Sequence, residues 1–250
     1  MIKYLGSKRR LVPALAVLAD ASGARTALDL FCGTTRVSQA FKARGIRTTA
    51  VDSARCAHVL ARCYVATDPD ADPGFRTALA SAVDDLNGLP GRAGYVTQTF
   101  CVEARYFRPE NGARIDAVRD AIEDRYAGTP LWPVLLTSLL EAADRVDSTT
   151  GLQMAYLKQW ATRAERPLTL RVPDLLAGPG RALQGDACAL AGSPDLGHVE
   201  HRHPGAMVDP GFVGQERKDF AVSSHHRALR VDDRGRVVDA ALAAFVPGAR

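Results

Sequence analysis

The chain has 250 residues, 46% of them hydrophobic and 24% charged, with a formal net charge of +4. That length suits one α/β domain with a substantial insertion, and the apolar content supports a real core. No uninterrupted apolar run reaches the roughly 20 residues of a membrane span, which argues against a membrane protein, and the mild basicity permits a nucleic-acid partner without demanding one. Met1-Ile2-Lys3-Tyr4 is no signal peptide. Cys32, Cys56, Cys63, Cys101 and Cys188 form no C-x-x-C pair. An odd, scattered set reads as reduced thiols of a cytoplasmic protein.

The first element is a basic turn, Lys3-Tyr4-Leu5-Gly6-Ser7-Lys8-Arg9-Arg10, with no acid before Asp20. Leu11, Leu15 and Leu18 follow at helical spacing. Such a turn can aim backbone N–H groups and Lys8 at an anion. It can equally be a solvated basic end.

Ala27 to Phe31 is a short apolar run interrupted by Asp29, which reads as a buried strand. Cys32-Gly33-Thr34-Thr35 is a turn in which Gly33 is free to take positive φ. Val37, Ala40 and Phe41 then mark a helix, and Arg47 to Val51 a second strand ending in Asp52. Strand, Gly turn, helix, strand and acid form the pattern of a nucleotide-type cofactor site, in which Asp52 accepts hydrogen bonds from ribose hydroxyls. Thr35 and Val37 stand where a dinucleotide fingerprint wants further glycines. A Phe-x-Gly turn suits a nucleoside without pyrophosphate, such as S-adenosylmethionine (SAM). The alternative is an ordinary α/β turn with no nucleotide.

Arg55 to Ala66 reads as a helix, residues 67–74 as an exposed loop, and Leu79 to Leu89 as a helix stopped by Pro90-Gly91. From Tyr95 to Trp160 the pattern is helical. Tyr106 to Gly112 reads as a turn, Ala113 to Tyr126 and Leu135 to Val146 as amphipathic helices, and Met154 to Trp160 as a third helical piece. Arg105, Arg108, Arg114, Lys158, Arg163 and Arg166 are the candidates there for phosphate contacts. Arg181 to Gln184 returns to the core as a strand, followed by Gly185-Asp186.

Lys-Tyr-Leu-Gly-Ser-Lys near the start, followed by Asp-Leu-Phe-x-Gly-Thr, resembles the Dam-like (D12 class) DNA adenine-N6 methyltransferases. The Tyr106–Gly112 stretch, the Glu141–Val146 run with its Thr-Thr-Gly, and Gly185-Asp186 add to that likeness. The resemblance implies a Rossmann-like SAM-dependent core with a helical insertion that carries target recognition. It places Tyr4, Gly6 and Lys8 at the methionine part of SAM. Asp29, Phe31 and Gly33 fall in the turn beneath the cofactor, Asp52 at the ribose, and Asp186 or its neighbour at the adenine ring. Thr35 replaces a glycine often found in that family. Double-stranded DNA is the implied substrate, and a restriction endonuclease of the same system an implied partner.

The family's acid-Pro-Pro-aromatic motif is not intact. Its acid or amide and the inter-proline carbonyl accept hydrogen bonds from the target amine, while the aromatic stacks on the flipped-out base. Ala206-Met207-Val208-Asp209-Pro210-Gly211-Phe212 keeps Asp209, Pro210 and Phe212 in order but has Gly211 for the second proline. A rival alignment puts Glu200 in the acid's place, within Asp195 to His203. His198, Glu200, His201 and His203 match no metal-binding spacing. After Phe212 comes a short polar tail, so the resemblance covers Met1 to Asp186 and the rest reads as truncated or divergent.

These readings divide the chain into residues 1–66 and 181–250 in the core and 67–180 as the insertion. They describe a SAM-dependent methyltransferase of adenine N6 in DNA. A non-catalytic remnant that binds SAM or DNA, and a small-molecule methyltransferase, remain as alternatives.

Overall fold

The computed structural model describes residue 2 and residues 8–149 and 159–191. Tyr4, Gly6, the proposed helical piece before Trp160, and everything after Ala191 lie outside them, including Glu200, Asp209, Pro210 and Phe212. The chain divides into two units, one of residues 4–69 and 175–240, the other chiefly Asp70–Asp174.

The first unit is an α/β core. After a single 3₁₀ turn at Lys8–Arg10 come α1 (Val12–Ser22), β1 (Thr26–Asp29), α2 (Arg36–Lys42), β2 (Arg47–Asp52) and α3 (Arg55–Ala61). The chain re-enters this unit for β3 (Gly180–Gln184) and α7 (Ala187–Ala191). The described strands form one parallel sheet in the order β1-β2-β3, with Asp29 opposite Ala50 and Asp52 opposite Gln184. Ala50 and Val51 are fully buried, as parallel strands covered by helices require. This is a Rossmann-like α/β arrangement.

Two details differ from the sequence pattern. The apolar spacing Leu11-Leu15-Leu18 suggests the buried face of α1, yet Leu11 and Leu18 are more than half exposed. Ala16 is buried instead, with Val12 and Ala19 beside it on the same stripe, because small side chains let α1 approach α2 closely. Arg55 to Ala66 is not one α-helix but α3 followed by a π-helical segment, Arg62–Ala66. Lys42, buried at the end of α2, donates to the carbonyls of Val65 (2.9 Å) and Thr67 (2.6 Å). A cation at a helix C-terminus satisfies carbonyls that the helix leaves open. Burial lowers the pKa of this ammonium, partly opposed by Asp68. Gly180 opens β3 against the same turn: a Cβ there would collide with the Val65 carbonyl oxygen.

The second unit is helical: α4 (Phe75–Gly88), a π-helical segment (Thr97–Glu103), α5 (Pro109–Tyr126) and α6 (Trp132–Val146). Ile115, Val118 and Ile122 of α5 and Leu135, Leu136 and Leu139 of α6 are almost wholly buried, which bears out the periodicity read from them. Residues 106–112 are not all turn. Pro109 begins α5, at the one position where its missing N–H is harmless, so Asn111 and Gly112 lie in the first helical turn.

Buried polar side chains organise this unit. Asp116 accepts from the backbone N–H groups of Gly94, Val96 and Thr97 at 2.8–2.9 Å, and from the Thr97 hydroxyl at 2.7 Å. One carboxylate on α5 thereby caps the segment leading into the π-helix. The extended stretch after the 3₁₀ turn Thr162–Glu165 is held by helix side chains in place of a partner strand. Asn111 donates to the carbonyls of Ala164 and Arg166 and accepts from the Leu168 N–H. Asn87 makes both bonds to the Leu170 backbone, and Ser138 does the same to Arg171.

Two outcomes are expected. Asp116→Ala strands three backbone donors and a hydroxyl, so it should destabilise the protein by about 3 kcal/mol, with Asp116→Asn costing less, as read by urea denaturation. Burial, reinforced by Asp116, pushes the Cys101 thiol from 9.0 up to about 12. The folded state then keeps this proton at a pH where the unfolded chain loses it. The stability the thiol contributes is whole below pH 9 and is lost as pH rises toward 12. Cys101→Ala should flatten the alkaline limb of a stability–pH curve relative to wild type.

Candidate functional site

A parallel α/β sheet opens a crevice at the carboxyl ends of its strands. Here β1 ends in Asp29, β2 ends in Asp52, and β3 is followed by Gly185-Asp186. Three carboxylates therefore lie at one edge of the sheet, each held in a different way.

Asp52 latches the turn after β1. Its Oδ2 accepts the Gly33 N–H at 2.9 Å and its Oδ1 accepts the Ala54 N–H at 2.9 Å. Gly33 has φ 49°, in the left-handed region. Thr35, at the N-cap of α2, has φ 62°, which for a β-branched residue is an outlier. It is fully buried, its hydroxyl donating to the Thr34 carbonyl and accepting from the Gln39 side chain. The Cys32 N–H donates to the Val51 carbonyl, tying the turn to β2.

Asp29 is buried and accepts the Ser38 hydroxyl at 2.7 Å. Its other oxygen lies 3.7 Å from the Lys8 ammonium, which also reaches the Phe31 carbonyl at 3.4 Å. β1 is only partly buried, with Asp29 its one buried residue, and Phe31 just beyond it is 48% exposed. Asp186 caps α7 through Oδ1, which accepts from Cys188 and Ala189. Its Oδ2 has no partner among the described residues. Cys32 packs with Ala50, Ala61 and Val65, and burial together with Asp52 and Asp29 drives its pKa far up. It stays a thiol and is no nucleophile.

Lys8, Asp29, Phe31, Gly33 and Asp52 thus meet around one turn, and Asp186 follows the end of β3. Ser38 was not legible as part of this site. A serine inside a short helix reads as surface, and nothing in its spacing announces that it returns to the acid nine residues earlier.

The helical unit contains a cleft of about 520 Å³ whose lining includes Arg108, Glu110, Arg114, Glu165 and Arg166. Of the basic side chains proposed for phosphate contacts, several are already engaged. Arg114 donates to the Leu86 and Asn87 carbonyls, and burial lowers its pKa. Arg163 pairs with Asp147 at 2.7 Å, and Arg108 pairs with Glu165. Lys158 lies outside the described residues.

A Rossmann-like core whose Gly turn is latched by the acid of the next strand defines a class of nucleotide-type binding proteins. The comparison with known families narrows it. The chain belongs to the D12 class N6 adenine-specific DNA methyltransferases, whose family model matches residues 4–182. Among curated proteins it is 33% identical over 185 residues to the type II methyltransferase M.NlaIII of Neisseria lactamica, covering 68% of this chain and 53% of that one. It is 27% identical over 186 residues to the modification methylase StsI of Streptococcus sanguinis (68% and 28%). It is 25% identical over 193 residues to the type II methyltransferase M.FokI of Planomicrobium okeanokoites (70% and 29%). The chain spans about half the length of the first of these relatives and under a third of the other two. No solved structure matches it. Methyltransferases of this kind use SAM in general and act on DNA. Among the described residues, no helix is long and apolar enough to cross a membrane.

Asp52 has a structural duty before any ligand arrives. Asp52→Ala should cost about 2 kcal/mol of stability, because the Gly33 and Ala54 N–H groups lose a charged acceptor. Thermal unfolding without ligand measures this. An unchanged midpoint would mean that the latch contributes nothing to the fold.

Proposed function

We propose that this chain binds SAM at the carboxyl edge of its sheet and serves methyl transfer to adenine N6 in double-stranded DNA, beside a restriction endonuclease of the same system. The observation that carries the first part is the turn from Leu30 to Thr35, held by Asp52 in a chain of this family. Its residues fit such a group. Each Asp52 oxygen spends one lone pair on a backbone N–H and keeps another to accept from a ribose hydroxyl. Lys8 and Asp29 form an acid–base pair complementary to an amino-acid zwitterion, Lys8 toward a carboxylate and Asp29 toward an ammonium. Phe31 offers an exposed ring and Asp186 a carboxylate oxygen for an adenine. Tyr4 and Gly6 belong to the same proposed site by family likeness.

When bound, SAM supplies an electrophilic methyl group on a sulfonium. The chain's task is to present the amine. An exocyclic amine is a poor nucleophile because its lone pair is delocalised into the ring, so orientation carries much of the rate. Asp209 and the Pro210 carbonyl would accept its two hydrogens and turn the lone pair outward, while Phe212 stacks on the extruded base. Gly211 frees the loop that the family stiffens with proline, which supports slow rather than fast transfer.

Phe31→Ala is the cleanest test of the cofactor site, since an exposed ring carries little of the fold. It should lower the thermal midpoint by only a few degrees, because about half the ring is already exposed, and weaken SAM binding by roughly three- to tenfold in calorimetry. Equal affinity would move the site elsewhere. Asp209→Ala should abolish tritiated methyl transfer to DNA while SAM still binds, and Gly211→Pro should speed it. A dead Glu200→Ala beside an active Asp209→Ala would transfer the catalytic role to Glu200.

A further inference from the structure

The π-helical segment Thr97–Glu103 ends in an unusual way. Ala104 closes it, Arg105 takes φ 54°, and the Tyr106 N–H donates back to the Phe100 carbonyl at 2.7 Å. This is the left-handed helix stop at which glycine is the ordinary choice, because any Cβ is disfavoured there. An arginine occupies it. Its guanidinium lies 5.2 Å from the centre of the Trp160 ring, while that of Arg108 lies 4.5 Å from the same ring. The two cations are not equivalent. Arg108 is neutralised by Glu165, whereas among the described residues no acid pairs with Arg105, and its side chain is exposed.

We propose that Arg105, held in place by Trp160, is a DNA-backbone contact of the helical unit. The proposal rests on the DNA reading above and deepens it. Of the candidate arginines in this unit, Arg114 and Arg163 are spent on fixing the fold and Arg108 on Glu165, which leaves Arg105 and Arg166 exposed, and of these two Arg105 is the one set against an indole ring. Arg105 is exposed and has no ion pair among the described residues. Stacking on an indole restricts a long side chain without using its N–H groups, so less freedom is lost when a phosphate is met. The left-handed backbone explains why the residue would be retained: glycine would suit the turn better but offers nothing to a polyanion. A bidentate guanidinium fits phosphate oxygens, and a backbone contact carries no sequence preference by itself.

The test separates a structural from a binding role. Arg105→Gly in the full chain should fold as well as wild type or better, since glycine relieves the turn. Its affinity for a 30-base-pair duplex should fall roughly tenfold, equally for every sequence, and the slope of log K against log salt should shrink by about one. Trp160→Leu keeps the charge, so affinity should fall less and the slope should persist. Arg163→Ala, which removes a structural pair, should leave the slope unchanged. If wild type binds the duplex and Arg105→Gly matches it in affinity and slope, the proposal is overturned and the DNA reading stands. If wild type binds no duplex, or prefers single-stranded RNA, both are overturned.

Discussion

The carboxyl edge of the sheet depends on two hydrogen bonds to one side chain. A Gly turn leaving a strand has no partner of its own, and its N–H groups would otherwise point into an open crevice. Asp52 reaches across from the neighbouring strand, accepts Gly33 with one oxygen, and fixes its own following residue, Ala54, with the other. The turn that would carry a cofactor and the acid that would meet its ribose are therefore one construction. Neither can move without the other. The neighbouring acid is treated differently. Asp29 is buried, so it needs the Ser38 hydroxyl and the Lys8 ammonium to offset its desolvation. That need draws Lys8, at the start of the 3₁₀ turn, to the same edge.

The helical unit uses the same device without a sheet. Its long connection back to β3 runs extended beside α4, α5 and α6, and its backbone must bond somewhere. Asn87, Asn111 and Ser138 each present both a donor and an acceptor to it. Two amides and a hydroxyl stand in for a neighbouring strand. Leu168 and Leu170 can then be buried between those anchors without stranding their peptide groups. Asp116, midway along α5, performs the corresponding service for the segment from Gly94 to Thr97.

Much of this was legible in the sequence, and the reasons for success and failure are physical. The strand–turn–helix–strand order around Gly33 followed from alternating apolar runs and a turn residue, signals that are local. Ile115, Val118 and Ile122 announced the buried face of α5 for the same reason. What escaped was set by distant partners. That α1 would bury Ala16 rather than its leucines depends on how closely α2 approaches. The two π-helical segments meet side chains far away in sequence, Lys42 at the end of one and Asp116 at the start of the other. Asn111 read as a turn residue because asparagine usually is one, yet its three bonds to residues 164–168 keep it in a helix. Ser38 was invisible for the same reason. The Gly33 turn and its neighbouring acids were legible through residue types, whereas the proposed amine-orienting loop, with Asp209 and Glu200 as rivals, rests on motif alignment alone.

Two residues that are not glycine adopt the left-handed backbone among the described residues, Thr35 and Arg105. Each conformation costs on the order of 1–2 kcal/mol against an ordinary one. In the sequence, Thr35 stood out as a departure from a glycine-bearing turn, and the structure explains how the departure is accommodated. The Thr35 hydroxyl donates to Thr34 and accepts from Gln39, so a side chain that strains the backbone also anchors the first turn of α2. A glycine there would be relaxed but would leave Gln39 without that acceptor. The strain at Thr35 is thus offset locally, within the fold. Arg105 has no such compensation from a side-chain hydrogen bond among the described residues: its guanidinium lies over an indole ring and its side chain is exposed. The difference between the two sites separates a strained residue that the fold explains from one whose explanation lies in what the surface meets.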